Sequence, residues 1–438
     1  MKRVAVIGSG IAGLAAAQGL ASLAQVTLFE ADRRFGGHAH TVDVTLDGVT
    51  HGVDTGFLVF NHRTYPKLRQ LFERLGVPTA ASDMSFSVQA PGLEWSGRDL
   101  NGVFAQRRNL LRPRFVHMLR EILRFNRLAT AIALRDTPDE GAEPIGEFLA
   151  RHRFGSAFRD WYFLPMIGCI WSCPTDQMLR FPIATMIRFC HNHGLIQVQD
   201  RPQWYTVRGG SREYVTRLLR EIPDARTGTP VRALRRLPPG EGTAGVMVAT
   251  DAGSERFDEV VLACHSDQGL ALLSDATPAE RSVLGAIAYH PNEAVLHTDT
   301  ALLPRARRAW AAWNYARAQE AGREQAGVCL HYLINRLQPL PWQRPVIVSL
   351  NPDPARRPDP AQVIGRYAYS HPVFDRAAID AQRRLPGIQG QGHMWFCGAW
   401  TRYGFHEDGL GSALDVVAQL RRRWQAAPTA EDAWRVAA

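Results

Sequence analysis

Apolar residues open the chain in short runs set off by glycine. They are Val4-Ala-Val-Ile7, the loop Gly8-Ser9-Gly10-Ile11-Ala12-Gly13, a stretch rich in Ala and Leu, and Gln25-Val-Thr-Leu-Phe29 ending at Glu30. Uninterrupted apolar runs this short predict strands buried on both faces, and the Ala/Leu stretch between them predicts a helix. From about Thr79 to Pro202, Arg, Phe and Trp become frequent and helical spacing dominates between Pro113 and Leu134, which predicts an inserted domain. Alternation returns in Val231 to Leu234 and Val246 to Ala249, followed by a turn at Asp251 to Gly253 and the strand-like Phe257 to Ala263. A second excursion runs from Tyr289 to Ser370 and holds the strand-like Val346 to Leu350. A last strand, Met394-Trp-Phe-Cys397, passes through Gly398 and a glycine-rich loop into a helix expected from Ser412 to Arg422. No repeats are found, and only the tail after Gln425 is of low complexity.

Each glycine of the first loop has its own task in a dinucleotide-binding unit. Gly8 permits the tight turn, Gly10 lets backbone approach a pyrophosphate, and Gly13 allows the helix to pack closely on the strand. The helix start offers N–H groups and partial positive charge to the anion. Glu30 stands 22 residues beyond Gly8 at the end of the second strand, where a carboxylate accepts from both ribose hydroxyls and repels a 2′-phosphate. Glycine spacing alone is a weak signal; with both strands, the helix and the acidic end in register it predicts dinucleotide binding.

Two further segments bear on which dinucleotide. Glu30-Ala31-Asp32-Arg33-Arg34-Phe35-Gly36-Gly37-His38 resembles the segment after the ribose carboxylate in the flavin amine oxidase superfamily. Phe396-Cys-Gly398-Ala-Trp400, with Gly404-Phe-His406-Glu407-Asp408-Gly409-Leu410-Gly-Ser-Ala413, resembles that superfamily's C-terminal flavin motif. The resemblance implies non-covalent FAD, with Gly8, Ser9, Gly10, Ala12, Gly13, Glu30 and Ala31 at its adenosine and diphosphate end. It implies that Gly36 and Gly37 bring backbone against the diphosphate. His38 stands where the superfamily usually has arginine, which leaves Arg34 as the alternative source of charge. The same resemblance places Thr55, Gly56, Phe57, Val231, Gly398, Asp408, Gly409 and Leu410 at the cofactor, with a helix starting near Gly409. His406 and Glu407 are candidates for an acid/base pair; a capping or loop-locking role is the equal alternative.

Longer words narrow the comparison: Asp54-Thr-Gly-Phe57, Phe60-Asn61, Met84-Ser-Phe-Ser-Val88, Phe104-Ala-Gln106, Ile170-Trp-Ser-Cys-Pro174, Arg201-Pro-Gln-Trp204 and Gly404 to Gly409. Together they resemble the N-terminal flavin oxidase-like domain of plant cyclopropane fatty acid synthases and the stand-alone bacterial NAD/FAD-binding proteins similar to it. The likeness runs from Val4 to about Leu420. It implies partnership with fatty-acyl lipid modification and leaves the reaction open. Trp171, Trp204, Tyr205, Trp313, Tyr315 and Trp342 are candidates for an apolar acyl tunnel, although each is more readily a core residue.

At 438 residues the chain suffices for two or three structural units, and 45% hydrophobic with 21% charged residues marks it as folded rather than disordered. Its net charge of +9, carried mostly by arginine, favours acidic partners. No nucleic-acid recognition motif accompanies that charge, so no nucleic-acid partner is expected and an anionic membrane surface is the candidate. From Arg98 to Arg135, nine arginines stand against Asp99 and Glu121. Arg114, His117, Arg120, Arg124 and Arg127 fall on one helical stripe beside Phe115, Met118, Leu119, Ile122 and Phe125, a face that either packs on the domain or meets acyl chains. The six cysteines read as reduced thiols of a cytoplasmic protein, and Cys169 with Cys173 lack the second pair a zinc site needs, so no metal is expected. Lys2 and Arg3 before an apolar stretch superficially resemble a secretory signal, but the glycine spacing argues against export, and no stretch approaches the ~20 apolar residues of a spanning helix. The expected location is cytoplasmic, with peripheral contact at the inner membrane face.

These readings combine into an α/β fold: a Rossmann-like FAD-binding domain of the two-dinucleotide-binding type (1–78, 203–270 and 390–425), an interleaved α+β substrate domain (79–202 and 271–389) and a tail (426–438). The expected function is FAD-dependent oxidation or desaturation of a fatty-acyl lipid beside a cyclopropane-synthase-like methyltransferase. Amine or polyene oxidation is one alternative. A flavin-binding partner of a lipid methyltransferase, without turnover of its own, is another.

Overall fold

A computed structural model describes residues 1–135, 143–171, 174–197, 201–237, 244–317 and 328–426. The opening pattern folds as expected, with a strand at Arg3–Ile7, a helix at Ile11–Leu20 and a strand at Gln25–Phe29. They belong to a five-stranded parallel sheet in the order Asp224–Arg226, Gln25–Phe29, Arg3–Ile7, Glu259–Leu262, Met394–Phe396. Side chains of the first strand alternate between two cores. Val4 and Val6 face one, Ala5 and Ile7 the other, which is why the run is apolar throughout rather than every second residue. The helix Ile11–Leu20 is buried almost all round, packed between this sheet and the last helix, where Gly19 lies against Val417.

A meander, Val231–Leu237, Gly245–Thr250 and Gly253–Phe257, stands beside this sheet. The second large sheet has seven strands in the order Val363–Pro372, Tyr289–His297, Ile347–Leu350, Cys329–Leu333, Trp313–Ala316, Phe86–Ala90, Leu93–Ser96. All its pairings are antiparallel except Trp313–Ala316 with Phe86–Ala90. Within 271–389, read from the sequence as substrate domain, the helices Pro278–Leu284 and Arg376–Arg384 send Val283, Leu284, Ala378 and Ala381 into the core that also holds Ala5, Val260 and Phe396.

The inserted helix spans Pro113–Arg135. Phe115, Met118 and Phe125 are fully buried, so this face packs on the domain and does not meet acyl chains. Two expectations shift. The last helix begins at His406 rather than Ser412, and a strand absent from the sequence reading, Asp224–Arg226, pairs with Gln25–Phe29. Cys173 and the tail from residue 427 lie outside the described residues. No helix among the described residues is long and apolar enough to cross a membrane.

Candidate active site

The ends of the parallel strands, the wall of the seven-stranded sheet and the last loop enclose one cavity of about 640 Å³. At one end the chain turns at Gly8, whose φ of 98° only glycine adopts readily. Gly13 shows how tightly helix and strand approach: a Cβ there would sit 1.8 Å from the Gly8 carbonyl oxygen. Gly10 is the opposite case, for nothing lies within 4 Å of where its Cβ would be, and no side chain caps the helix it begins. Glu30 is held by its own chain, accepting from the Ser9 N–H at 2.9 Å, the Ser9 hydroxyl at 2.5 Å and the Asp32 N–H at 2.8 Å. Gly36 donates to the Ser9 carbonyl at 3.1 Å, and Gly37 leaves so little room that a Cβ would stand 3.1 Å from the Gly10 Cα. The two glycine segments are thus pressed together at the cavity's edge, with Ala12, Ala31 and Val231 beside them.

Farther in, Phe57 donates its N–H to the His38 carbonyl at 2.8 Å, and Gly56 has no space for a Cβ, which would lie 2.2 Å from that same oxygen. The Thr55 hydroxyl is 2.7 Å from the Tyr369 hydroxyl. His38 faces a group of rings that sequence reasoning missed: Tyr369 at 5.0 Å, His371 at 5.4 Å and His265 at 6.3 Å, the last stacked on Tyr289. Burial pulls the His371 imidazole down to about 4 and holds His38 well below the usual histidine range, so this wall is uncharged at neutral pH. These residues lie far apart in sequence; the one available signal was the alternation Tyr367, Tyr369, His371 along a strand.

The last loop closes the cavity. Gly398 donates to the Ser412 hydroxyl at 2.9 Å, and His406 stacks on Phe57 at 3.7 Å with its Nε2 3.1 Å from the Tyr214 hydroxyl. Burial lowers the His406 pKa to about 3. Glu407 accepts from the Lys67 N–H at 3.0 Å and the Leu68 N–H at 2.9 Å, so its carboxylate caps the helix Pro66–Leu75 and takes the loop-locking role. Asp408 accepts from the Phe405 N–H at 3.0 Å, which starts the last helix ahead of both Gly409 and Ser412. Asp408, Gly409 and Leu410 consequently stand behind the cavity wall, with Gly409 against Ile11. Gly13, Arg34 and Glu407 do not line the cavity either.

Beyond the histidines the cavity opens into an apolar chamber formed by Met84, Phe86, Met166, Trp313, Tyr332 and Leu350. Of the six aromatic candidates, Trp171, Trp204 and Trp313 line the cavity, while Tyr205 stacks on His62, Trp342 meets His51 edge-on and Tyr315 is buried in its strand. Among the described lining residues Glu30 is the one carboxylate, and there is no lysine or arginine.

The sequence profile of the flavin containing amine oxidoreductase family matches residues 11–304. The chain belongs to this family. The carotenoid phi-ring synthase of Streptomyces griseus is 30% identical in an alignment 286 residues long that covers 60% of this chain and 52% of the synthase, so the match spans about half the length of that relative. Two solved structures share the fold at 15% identity. A fatty acid isomerase from P. acnes has a TM-score of 0.65 over 95% of this chain and 98% of its own, and the cyclohexylamine oxidase from Brevibacterium oxydans IH-35A has 0.66 over 96% and 99%.

This oxidoreductase is FAD-dependent, and the residues present fit the cofactor. Nη1 of Arg34 and Nε2 of His38 are buried without a hydrogen-bond partner, at the segment where the diphosphate would be held. Buried polar groups are seldom left so, and His38, which lines the cavity, is placed to meet the diphosphate, whereas Arg34 stands outside the lining. Gly10, with open space where a side chain would be, and the uncapped helix start complete that cradle. Glu30 would turn its acceptors to the ribose hydroxyls.

Proposed function

We propose that this flavoprotein oxidises the hydrocarbon part of a fatty-acyl lipid, introducing a double bond. The supporting observation is the chamber itself: apolar, walled by Met, Phe, Trp, Tyr and Leu side chains, and without a described carboxylate to receive an ammonium group. A cationic amine entering it would lose its hydration without a compensating charge, whereas an acyl chain loses only unfavourable contact with water. The neutral histidine wall adds no charge to attract or repel a substrate.

When bound, FAD would supply a two-electron acceptor for a hydride from the substrate. The chain's part is to orient the substrate carbons, exclude water and keep nearby imidazoles neutral. His371 accepts at Nδ1 from the Asn292 side-chain amide at 3.1 Å, which fixes its tautomer and leaves Nε2 as its N–H. The long words shared with cyclopropane-synthase fusions support a place beside a lipid methyltransferase. A polyene substrate is the second reading, favoured by the likeness to a carotenoid phi-ring synthase.

Anaerobic mixing of the FAD-loaded protein with an acyl phospholipid, a carotenoid and a primary amine distinguishes these. Stoichiometric bleaching by the phospholipid, with the amine inert, is expected. Bleaching by the carotenoid alone selects the second reading, and bleaching by the amine alone overturns both.

A further inference from the structure

Three of the largest exposed apolar side chains lie close together in the chain: Leu100, Leu110 and Leu111, at 77%, 53% and 88% exposure. They sit on a short helix, Leu100–Val103, and a 3-10 turn, Arg107–Leu111, that run over the edge hairpin of the seven-stranded sheet. Both elements are pinned from below. Gly102 has its N–H in the Asp99 carboxylate at 2.7 Å, and Phe104 packs on Phe115, which packs on Trp95. The leucines are therefore held outward by an ordered base.

From 98 to 112 the charged residues are all basic except Asp99, which pairs with Arg98 at 3.0 Å, and the buried Glu94 carboxylate on the strand beneath accepts from the Arg305 and Ala306 N–H groups. Arg107 donates to the Phe104 carbonyl and the Asn101 side-chain oxygen, and Arg108 and Arg112 both donate to the Gly92 carbonyl. These partners are neutral, so the guanidinium groups are fixed in place with their charge uncompensated. A second element adds to them. The turn Arg307–Ala309 packs against Leu100–Val103 and the strand Leu93–Ser96, and it presents Arg307 and Arg308 exposed. Exposed leucines rimmed by arginines from two separate segments match a surface with an anionic rim and an apolar interior.

We propose that this leucine-arginine patch docks the protein peripherally on an anionic lipid bilayer, with the leucines entering the acyl region and the arginines on headgroup phosphates. The docking face differs from the stripe read from the sequence. On the long helix the aromatic face is buried and the exposed leucines, Leu123 and Leu134, are scattered along its length, so the clustered apolar contact comes from the segment before it. Phe86, which lines the chamber, packs edge-on against Trp95 of the strand on which Leu100–Val103 rests. The proposal rests on exposure and charge, independently of the substrate assignment, and its readout is separate from flavin reduction.

The test is co-sedimentation of the FAD-loaded protein with phosphatidylcholine vesicles containing or lacking phosphatidylglycerol, at low and high salt. Binding is expected to require the anionic lipid and to fall with salt. Leu110→Ser/Leu111→Ser and Arg107→Glu/Arg108→Glu should each lower the partition coefficient at least tenfold, since each surface arginine contributes roughly fivefold. Unchanged FAD content and melting temperature show that both variants are folded. Equal binding by parent and either folded variant overturns the proposal, as does failure of the parent to bind. If light scattering shows a parent dimer that the leucine variant dissociates, with vesicle binding unaltered, the patch joins copies of this chain instead.

Discussion

Removing the Glu407 carboxylate separates a structural role from a chemical one. The helix Pro66–Leu75 starts after Tyr65, whose side chain gives it no cap, and Glu407 reaches in from another part of the chain to accept the N–H groups of Lys67 and Leu68. Its side chain is only 13% exposed, so water replaces the lost bonds poorly. Hydrogen bonds to a charged acceptor contribute about 1.5–3 kcal/mol each when well made. Some solvent will return to the cavity left by truncation, so Glu407→Ala should cost about 3 kcal/mol in all. A chain of 438 residues unfolds with an entropy near 0.9 kcal/mol per kelvin, which converts this loss to about 3 °C in melting temperature. Glu407→Gln retains one acceptor oxygen and should lose about half as much. Thermal unfolding of FAD-loaded variants measures the shift, and stopped-flow reduction by the active lipid measures the chemistry. Reduction rates should stay within about threefold of the parent, because positioning loosens while no proton acceptor is lost. A melting temperature equal to the parent's, with reduction slowed a hundredfold, would refute the capping assignment and return Glu407 to acid/base chemistry.

Other outcomes follow from the same structure. Glu30→Ala should release FAD more readily by about 1.5–3 kcal/mol, measured by ultrafiltration of the yellow protein; retention equal to the parent's would show that the ribose is held elsewhere. Ser349→Ala should destabilise the protein by about 1–3 kcal/mol, because the buried Ser349 hydroxyl lies 2.7 Å from both His297 Nε2 and His331 Nδ1, and neither ring nitrogen has water to turn to; chemical denaturation measures it. Stability should also fall as pH drops from 6 to 4. His193 and His371 titrate near 4 and His331 and His406 near 3 in the fold, against 6.5 unfolded, so the unfolded chain binds their protons first and acid favours unfolding. Asp54 and Asp408, raised to about 6 by burial, act in the opposite sense, since the folded state protonates them before the unfolded chain does. His38, His40 and His297 are lowered by burial in the same way, so depressed imidazoles outnumber the two raised carboxylates and the net effect is a loss of stability as pH falls; a melting temperature flat across this range would contradict the balance.

The first sixty or so residues were readable because their signals are local. A glycine that must take positive φ, a strand buried on both faces and a carboxylate at a strand end each leave a mark within a few positions. The strand Asp224–Arg226 left none, being three polar residues whose only reason for extension is the edge offered by Gln25–Phe29. The start of the last helix was misplaced for a similar reason: glycine at 409 suggested a beginning, but the Asp408 carboxylate on the Phe405 N–H sets it earlier. In the cavity, the motif end was legible and the histidine wall was not, since His38, His265 and His371 come together only through three separate elements. The aromatic candidates divided, three on the cavity and three off it, because a tryptophan in a chamber and a tryptophan in a core have the same neighbours in sequence.

The strand order of the parallel sheet bears on how the protein comes into being. Its five strands end at residues 7, 29, 226, 262 and 396. A nascent chain thus displays the glycine loop long before the edge strand that leads into the closing wall is made. Until then the apolar faces of the first strands and helix have only temporary neighbours, and such surfaces invite misassociation. Cofactor supplied before that strand is made would find half a cradle, so flavin should enter once it is in place, and cells short of flavin should accumulate a loosely closed apoprotein.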